Sequence, residues 1–257
     1  MLRPLVFLGL LAAMLAWEWR RPVLAPLTRA LARRVANLGL GLAGVAATRL
    51  LAPAGLAGAA LAADERGWGL FAVVDVPAPV AFVGAVLVLD LAVWAQHRAS
   101  HALPVLWRLH RIHHADPVVD VTTAVRFHPL EIALSLAWKS LVVVAIGAPV
   151  AAAIAFEALL GAAALFNHGN VRLAPRVERL LAPVLVTPAI HRVHHSLAAA
   201  DRDRNFGFSV PWWDRLSGTF RAPAPDGTPP RIGLPAFEPA AAQSFGRMLL
   251  DPWHDAR

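Results

Sequence analysis

The stretch from Leu130 to Phe166 runs for about 37 residues with Glu131, Lys139 and Glu157 as its only charges. A helix needs about 20 apolar residues to cross a bilayer, so this block is too long for one span and about right for two. Gly147-Ala148-Pro149 supplies the interruption, a glycine to end one helix and a proline that cannot continue it. A helical hairpin is therefore expected. Val76 to Ala95 is long enough for another span, and Val35 to Ala63, interrupted by Arg49 and Pro53, reads as a span followed by an interfacial or re-entrant piece. Leu5 to Trp17 resembles the apolar part of a signal peptide. It is followed by WEWRRP rather than a small-residue cleavage site, so it is expected to stay as a helix anchored by Trp17, Trp19, Arg20 and Arg21.

Composition agrees. Apolar residues make up 57% and charged residues 16% of the 257, where a soluble domain has about 45–50% and about 25%. The expected fold is all-α, an integral membrane bundle of about four transmembrane helices with a histidine-rich helical cap. Three segments are expected: residues 1–75 with N-terminal spans, 76–221 as the catalytic part, and 222–257 as a Pro/Gly-rich tail. Val171 to Pro188 is amphipathic and suited to the membrane surface. Cysteine is absent, which excludes disulfides and thiolate metal sites. The net charge of +7 is carried by arginine, since Lys139 is the only lysine. No basic helix carries interleaved aromatics, so the excess is assigned to membrane-facing loops and no nucleic-acid partner is expected. Alanine and arginine richness suggests a GC-rich bacterial source and an inner-membrane location.

Orientation follows from the loops. Arg20, Arg21, Arg29, Arg33 and Arg34 follow the first apolar run, whereas acidic residues and Arg66 follow the second. The first loop is then cytoplasmic. Counting spans onward brings His97–His128, His168 and His191–His195 to the same side.

Ten of the 11 histidines fall between His97 and His195. His97 and His101 form HxxxH; His110, His113 and His114 form HxxHH in HRIHH; His191, His194 and His195 repeat it in HRVHH; His168 stands between. On a helix, positions i, i+3 and i+4 share a face. Nine imidazoles are too many for one metal, which takes about four to six ligands, and about right for two. Neutral imidazole suits iron, zinc, copper or nickel. His254 reads as an ordinary polar residue, and His128 stands open between ligand and structural roles. A zinc protease needs a glutamate second in the motif, but Arg111 and Arg192 stand there. Haem needs two axial ligands, and a transporter would scatter its polar groups through the spans. A zinc-dependent hydrolase of another kind, or a metal carrier, remains the alternative.

These motifs, with DLAVWAQHRASH, LWRLHRIHHAD, TTAVRFHPLE, FNHGN, VTPAIHRVHHS, DRNFGF, WWDRLSGTF and RIGLP, resemble the fatty acid hydroxylase superfamily, also called the sterol desaturase family, over about Asp90 to Pro235. The resemblance implies an integral membrane enzyme that hydroxylates or desaturates lipid C–H bonds. It implies two iron ions, O2 as co-substrate, and electrons from a separate protein such as a ferredoxin, a cytochrome b5-like protein or a reductase. The implied ligands are His97, His101, His110, His113, His114, His168, His191, His194 and His195, with His128 less clearly matched. Trp94 and Ile232 stand where the family often has tyrosine. Asp90, Asn170, Asp203, Asn205 and Asp214, with Asp116, are candidates to orient the ligands, because metal-bound histidines donate their second N–H to such groups. Lys139 and Glu157 lie at similar depths in the hairpin and are expected to pair within the membrane.

Overall fold

The computed structural model describes residues 2–25, 29–234, 237 and 244–254. Pro235, the end of the RIGLP motif, and much of the C-terminal segment lie outside the described residues. Among those described, thirteen α-helices follow in order. They are α1 (Leu2–Arg20), α2 (Ala30–Leu51), α3 (Gly55–Glu65), α4 (Leu70–Val73), α5 (Ala78–Ala102), α6 (Pro104–His114), α7 (Pro129–Ile146), α8 (Val150–Asn167), α9 (Pro175–Leu181), α10 (Pro188–His194), α11 (Ala199–Arg202), α12 (Trp212–Ser217) and α13 (Phe245–Leu250). The one β-type pairing among them is the bridge between Ser196 and Ile232. Four segments are long and apolar enough to cross a membrane: Ala30–Val73, Ala78–Ala102, Pro129–Ile146 and Val150–Asn167. The all-α bundle read from the apolar runs is therefore present.

The hairpin breaks where the sequence places it. Gly147 ends α7 in the left-handed conformation at φ +64°, and Pro149 precedes α8. Gly69, at φ +100°, packs its backbone against this turn. A Cβ at Gly69 would lie 2.0 Å from the Gly147 nitrogen, so both positions need glycine. The interruption in the second apolar run is also real. Arg49 donates to the Pro53 carbonyl at 2.7 Å and closes the end of α2. The chain then re-enters as α3, whose Leu56 and Ala60 pack with Ala85 and Leu89 of α5, Val143 of α7 and Phe156 of α8. Small residues let these helices approach closely where lipid gives no hydrophobic drive between them. The opposite faces carry exposed Leu42, Leu50, Val80, Val83, Leu134 and Leu141, a distribution suited to a lipid surround.

At the end of the bundle where α2 begins, a buried polar network ties the N-terminal helices to the loop after HRIHH. Arg33 pairs with Asp116 at 2.7 Å and also with Asp120. Asn37 donates to Asp116 at 3.0 Å and to Thr122 at 3.1 Å. Asp120 caps the short 3-10 turn Val121–Val125, and Glu18 of α1 accepts from the Val121 amide at 2.7 Å. Arg126, fully buried, donates to the Ile112 carbonyl at 2.7 Å and to Asn37 at 2.9 Å. Its pKa is pushed down to about 10 by burial.

This network revises the charge count behind the orientation. Arg33 and Arg34 belong to α2 rather than to a loop, and both pair with Asp120. Their charge is internally neutralised, leaving Arg20, Arg21 and Arg29 as the arginines that can report topology.

Arg33 is 3% exposed and Arg34 34%. Removing one partner of a buried pair costs about 3–5 kcal/mol because the other charge is stranded, while a partly exposed pair contributes at most about 1 kcal/mol. Arg33→Met is therefore expected to lower stability several times more than Arg34→Met in denaturation of the detergent-solubilised protein. Equal losses would contradict the burial argument.

Candidate metal centre

Each histidine reaches the centre for a local reason. Pro104 starts a new helix directly after α5, so α6 leaves at an angle and HRIHH faces back toward His97 and His101. Thr187 caps α10, its hydroxyl accepting from the Ile190 amide at 3.3 Å, with Pro188 at the first helical position. His168 ends α8.

The nine rings form two groups. His97, His101, His110, His114 and His194 make one; His113, His168, His191 and His195 make the other. In each, the ligand atoms lie within 4.8 Å of one another. The two phrases are crossed. HRIHH gives its i and i+4 histidines to the first group and its middle one, His113, to the second. HRVHH does the reverse, with His194 alone in the first group and His191 and His195 in the second. Nine imidazoles suit two metals, and the geometry adds that neither phrase belongs to one group alone.

The arginines in the phrases point outward. Arg111 donates to the Asp251 carboxylate at 2.8 Å and to the His254 carbonyl at 2.8 Å, fastening the C-terminal segment. Arg192 donates to the carbonyls of Gly169 at 3.2 Å and Val171 at 3.0 Å, fixing the chain just after His168. Ile112 and Val193, the β-branched third residues, are buried.

Hydrogen bonds fix which nitrogen faces inward. Nδ1 donates to the Phe206 carbonyl from His97 at 2.7 Å, to the Asp203 carboxylate from His101 at 3.0 Å and to the Glu131 carboxylate from His110 at 2.6 Å. His168 donates to the Ala164 carbonyl at 2.8 Å and His194 to the Arg204 carbonyl at 2.7 Å. A neutral ring that gives its proton on Nδ1 keeps a lone pair on Nε2. His97 and His110 nonetheless bring their Nε2 atoms to 3.1 Å. His168 stands with Nε2 3.1 Å from that of His113 and 3.0 Å from that of His191. The lone pairs of His97 and His110 at this distance repel unless a cation lies between them. Two nitrogens about 2.1 Å from a shared ion at roughly a right angle are about 3.0 Å apart. The buried Nε2 of His194 has no hydrogen-bond partner. The residues thus fit two metal ions held by imidazole.

The other candidates divide. Asp203 touches His101, as above. Asp214 accepts from the amides of Phe206 at 2.9 Å and Gly207 at 2.7 Å and from Trp94 at 3.1 Å, so it holds the loop whose carbonyl meets His97. Asn205, at φ +53°, ties the same loop to Ile190 and Arg221. Asp90 accepts from Trp213 at 2.8 Å, joining α5 to α12. Asn170 accepts from the Val23 and Leu24 amides at 3.1 and 2.8 Å, and Asp116 serves Arg33, Asn37 and Thr123. His128 lies in neither group; it caps α7 and approaches the Leu249 carbonyl at 3.2 Å. Glu131 was missed. Its signal was a carboxylate at the mouth of an apolar helix, easily taken for an ordinary charge in the first turn.

A cavity of about 410 Å³ opens off the histidines, with His97, His110, Phe127 and Glu131 near one end and Val93, Leu160 and Phe208 among its walls.

The fatty acid hydroxylase family profile matches residues 82–219, more than half of the chain and all nine grouped histidines. The chain belongs to the fatty acid hydroxylase family. It is 30% identical over 147 residues to the ornithine lipid hydroxylase OlsE of Rhizobium tropici, covering 56% of this chain. The chain spans 44% of that relative's length. No solved structure gives a significant match.

Burial sets the charge state of the rings. His113, His114, His191, His194 and His195 are held well below their ordinary pKa of 6.5, first by desolvation and then by neighbouring imidazoles. Desolvation pushes His168 down to about 4. Below pH 6.5 the unfolded chain takes up protons that the folded chain refuses, so stability falls as pH falls. The metal-free protein is expected to hold its melting temperature above about pH 7 and lose it progressively below pH 6.5. A melting temperature level from pH 7 to pH 5 would contradict the buried neutral cluster.

Proposed function

We propose that this chain is a membrane lipid hydroxylase in which the two histidine groups hold two iron ions. The observation that carries the reading is the convergence of nine histidine rings, five and four, with no carboxylate in either group. Family membership and the lipid hydroxylase relative support the reaction class. Residues 76–221 are the proposed catalytic unit. The segment before it completes the cavity through Phe7, Gly41, Gly44, Val45 and Thr48.

Bound iron would supply the O2 activation that oxidation of an unactivated C–H bond requires. The chain's own residues do the rest. Glu131, Asp203 and the carbonyls of Phe206, Ala164 and Arg204 hold five rings with Nε2 inward. Phe127 stacks on His113 at 4.2 Å, and Phe206 and Phe208 pack beside His97, keeping an apolar wall around the reacting position. That wall limits water at the centre. The cavity admits an acyl chain from the bilayer and holds one carbon beside His97 and His110. Electrons come from a separate carrier protein, and the histidine end faces the cytoplasm of a bacterial inner membrane.

The Arg at the second position of each phrase argues against the zinc-protease arrangement. Arg111 and Arg192 are engaged with the protein's own carbonyls and leave no general base there.

Expression in a bacterial host making ornithine-containing and other acyl lipids tests the proposal. The expected product is a lipid with one added oxygen that carries isotope label supplied as O2. It should be absent from the His194→Ala, His195→Ala double variant. An unchanged lipid profile in cells holding folded, iron-loaded protein would refute the proposal, as would label arriving from water.

A further inference from the structure

The cavity has a depth axis that chain direction makes explicit. Near the histidines lie the start of α7, the end of α5 and the end of α8. The start of α2 and the end of α1 join them through the network of Arg33, Glu18 and the 116–121 loop. The lining residue farthest from that end is Phe7 on α1, Thr48 on α2, Val93 on α5, Lys139 on α7 and Glu157 on α8. Phe7, Thr48 and Glu157 sit about three helical turns or more below the histidine end, Lys139 about two and Val93 about one. Lys139 is eight residues beyond Glu131 and Glu157 eleven before His168, about 12 and about 17 Å at 1.5 Å per residue.

The walls between are apolar or small: Val45, Ile132, Leu160, Gly161 and Ala164. Gly161 leaves only the Phe7 ring, 3.7 Å from where its Cβ would stand. Against this lining, the chain's only lysine and a glutamate come within electrostatic reach of each other at the deep end. A charged pair inside a span is costly and implies a task. A lipid headgroup is a poor occupant so deep, because it would have to leave the interface. The terminal methyl of an acyl chain is the part of a lipid that belongs there.

We propose that Lys139 and Glu157 form the floor of the acyl cavity, so that the substrate is measured from its terminal methyl. This rests on the reading of the cavity as the lipid site. An apolar end wall of flexible side chains would yield to a longer chain. Lys139 and Glu157, whose polar ends cannot move into lipid at low cost, do not. The methyl end stops there, and the carbon presented beside His97 and His110 is fixed by its count from that end. Any excess length emerges toward the headgroup.

The test uses thermal stabilisation of the detergent-purified full chain by saturated 1-monoacylglycerols lengthened one methylene at a time. These probes carry no charge to attract Lys139. The melting temperature should climb until the cavity is full and then level off. Lys139→Ala, which deepens the floor, should move that plateau to longer chains. Leu160→Phe, which fills the wall, should move it to shorter ones and still reports if Lys139→Ala does not fold. A plateau that stays put in the folded variants overturns the floor, as does a wild-type series that shows no chain-length dependence. The readout needs no turnover, so a shifted plateau in a protein that hydroxylates nothing would sink the hydroxylase reading and leave the floor standing. In turnover, two chain lengths should be oxygenated at the same carbon counted from the methyl. A position constant from the headgroup instead would overturn the proposal.

Discussion

Neutral imidazoles packed with their lone pairs facing one another constrain everything else in this molecule. The inward nitrogens of His97 and His110 approach as closely as hydrogen-bonded atoms. Hydrogen bonds on the far side of both rings leave no proton to share between them. Such an arrangement is held against its own repulsion by the surrounding frame, and cations relieve it. The frame is accordingly rigid and polar where most of a membrane protein is greasy. Asp214 holds the 206–207 loop, Arg192 holds the turn after His168, and Arg111 binds the C-terminal segment beneath α6.

The crossed assignment of the two phrases explains why both are needed. If each phrase served one group, the two halves could separate without either losing its ligands. Because His113 crosses to the group of HRVHH and His194 to the group of HRIHH, neither group is complete until α6 and α10 dock. Site formation and tertiary assembly are therefore a single event, and metal binding becomes part of folding stability.

Periodicity and spacing made much of this legible. The apolar block from Leu130 to Phe166 with its Gly-Ala-Pro break specified the hairpin because length and turn chemistry are local properties. Eight of the nine histidines were legible because i, i+3 and i+4 share a helical face, and His168 only by their company. Long-range partners were not. Asn170 stands two residues after His168, yet its side chain secures residues 23 and 24, and Arg33 looked like a loop charge until Asp116 and Asp120 neutralised it. Glu131 escaped notice because its partner His110 is 21 positions away. His128 kept the company of ligands in sequence but sits at a helix N-terminus in space, where its ring accepts from the Leu130 amide. The depth relation of Lys139 and Glu157 could be counted along their helices. The cavity they share could not, because Phe7 and Thr48 come from distant parts of the chain.

Two metal ions held within one set of crossed histidines are what the crossed geometry calls for. The direct measurement is the iron content of the detergent-purified chain, for the wild type beside His113→Ala and His194→Ala, each the lone crossing histidine of its phrase. About two irons per wild-type chain is expected, with each single substitution lowering occupancy although it removes one ring of nine. A folded, iron-replete wild type that holds one ion or none, or full loading in both variants, would contradict the two-metal assignment.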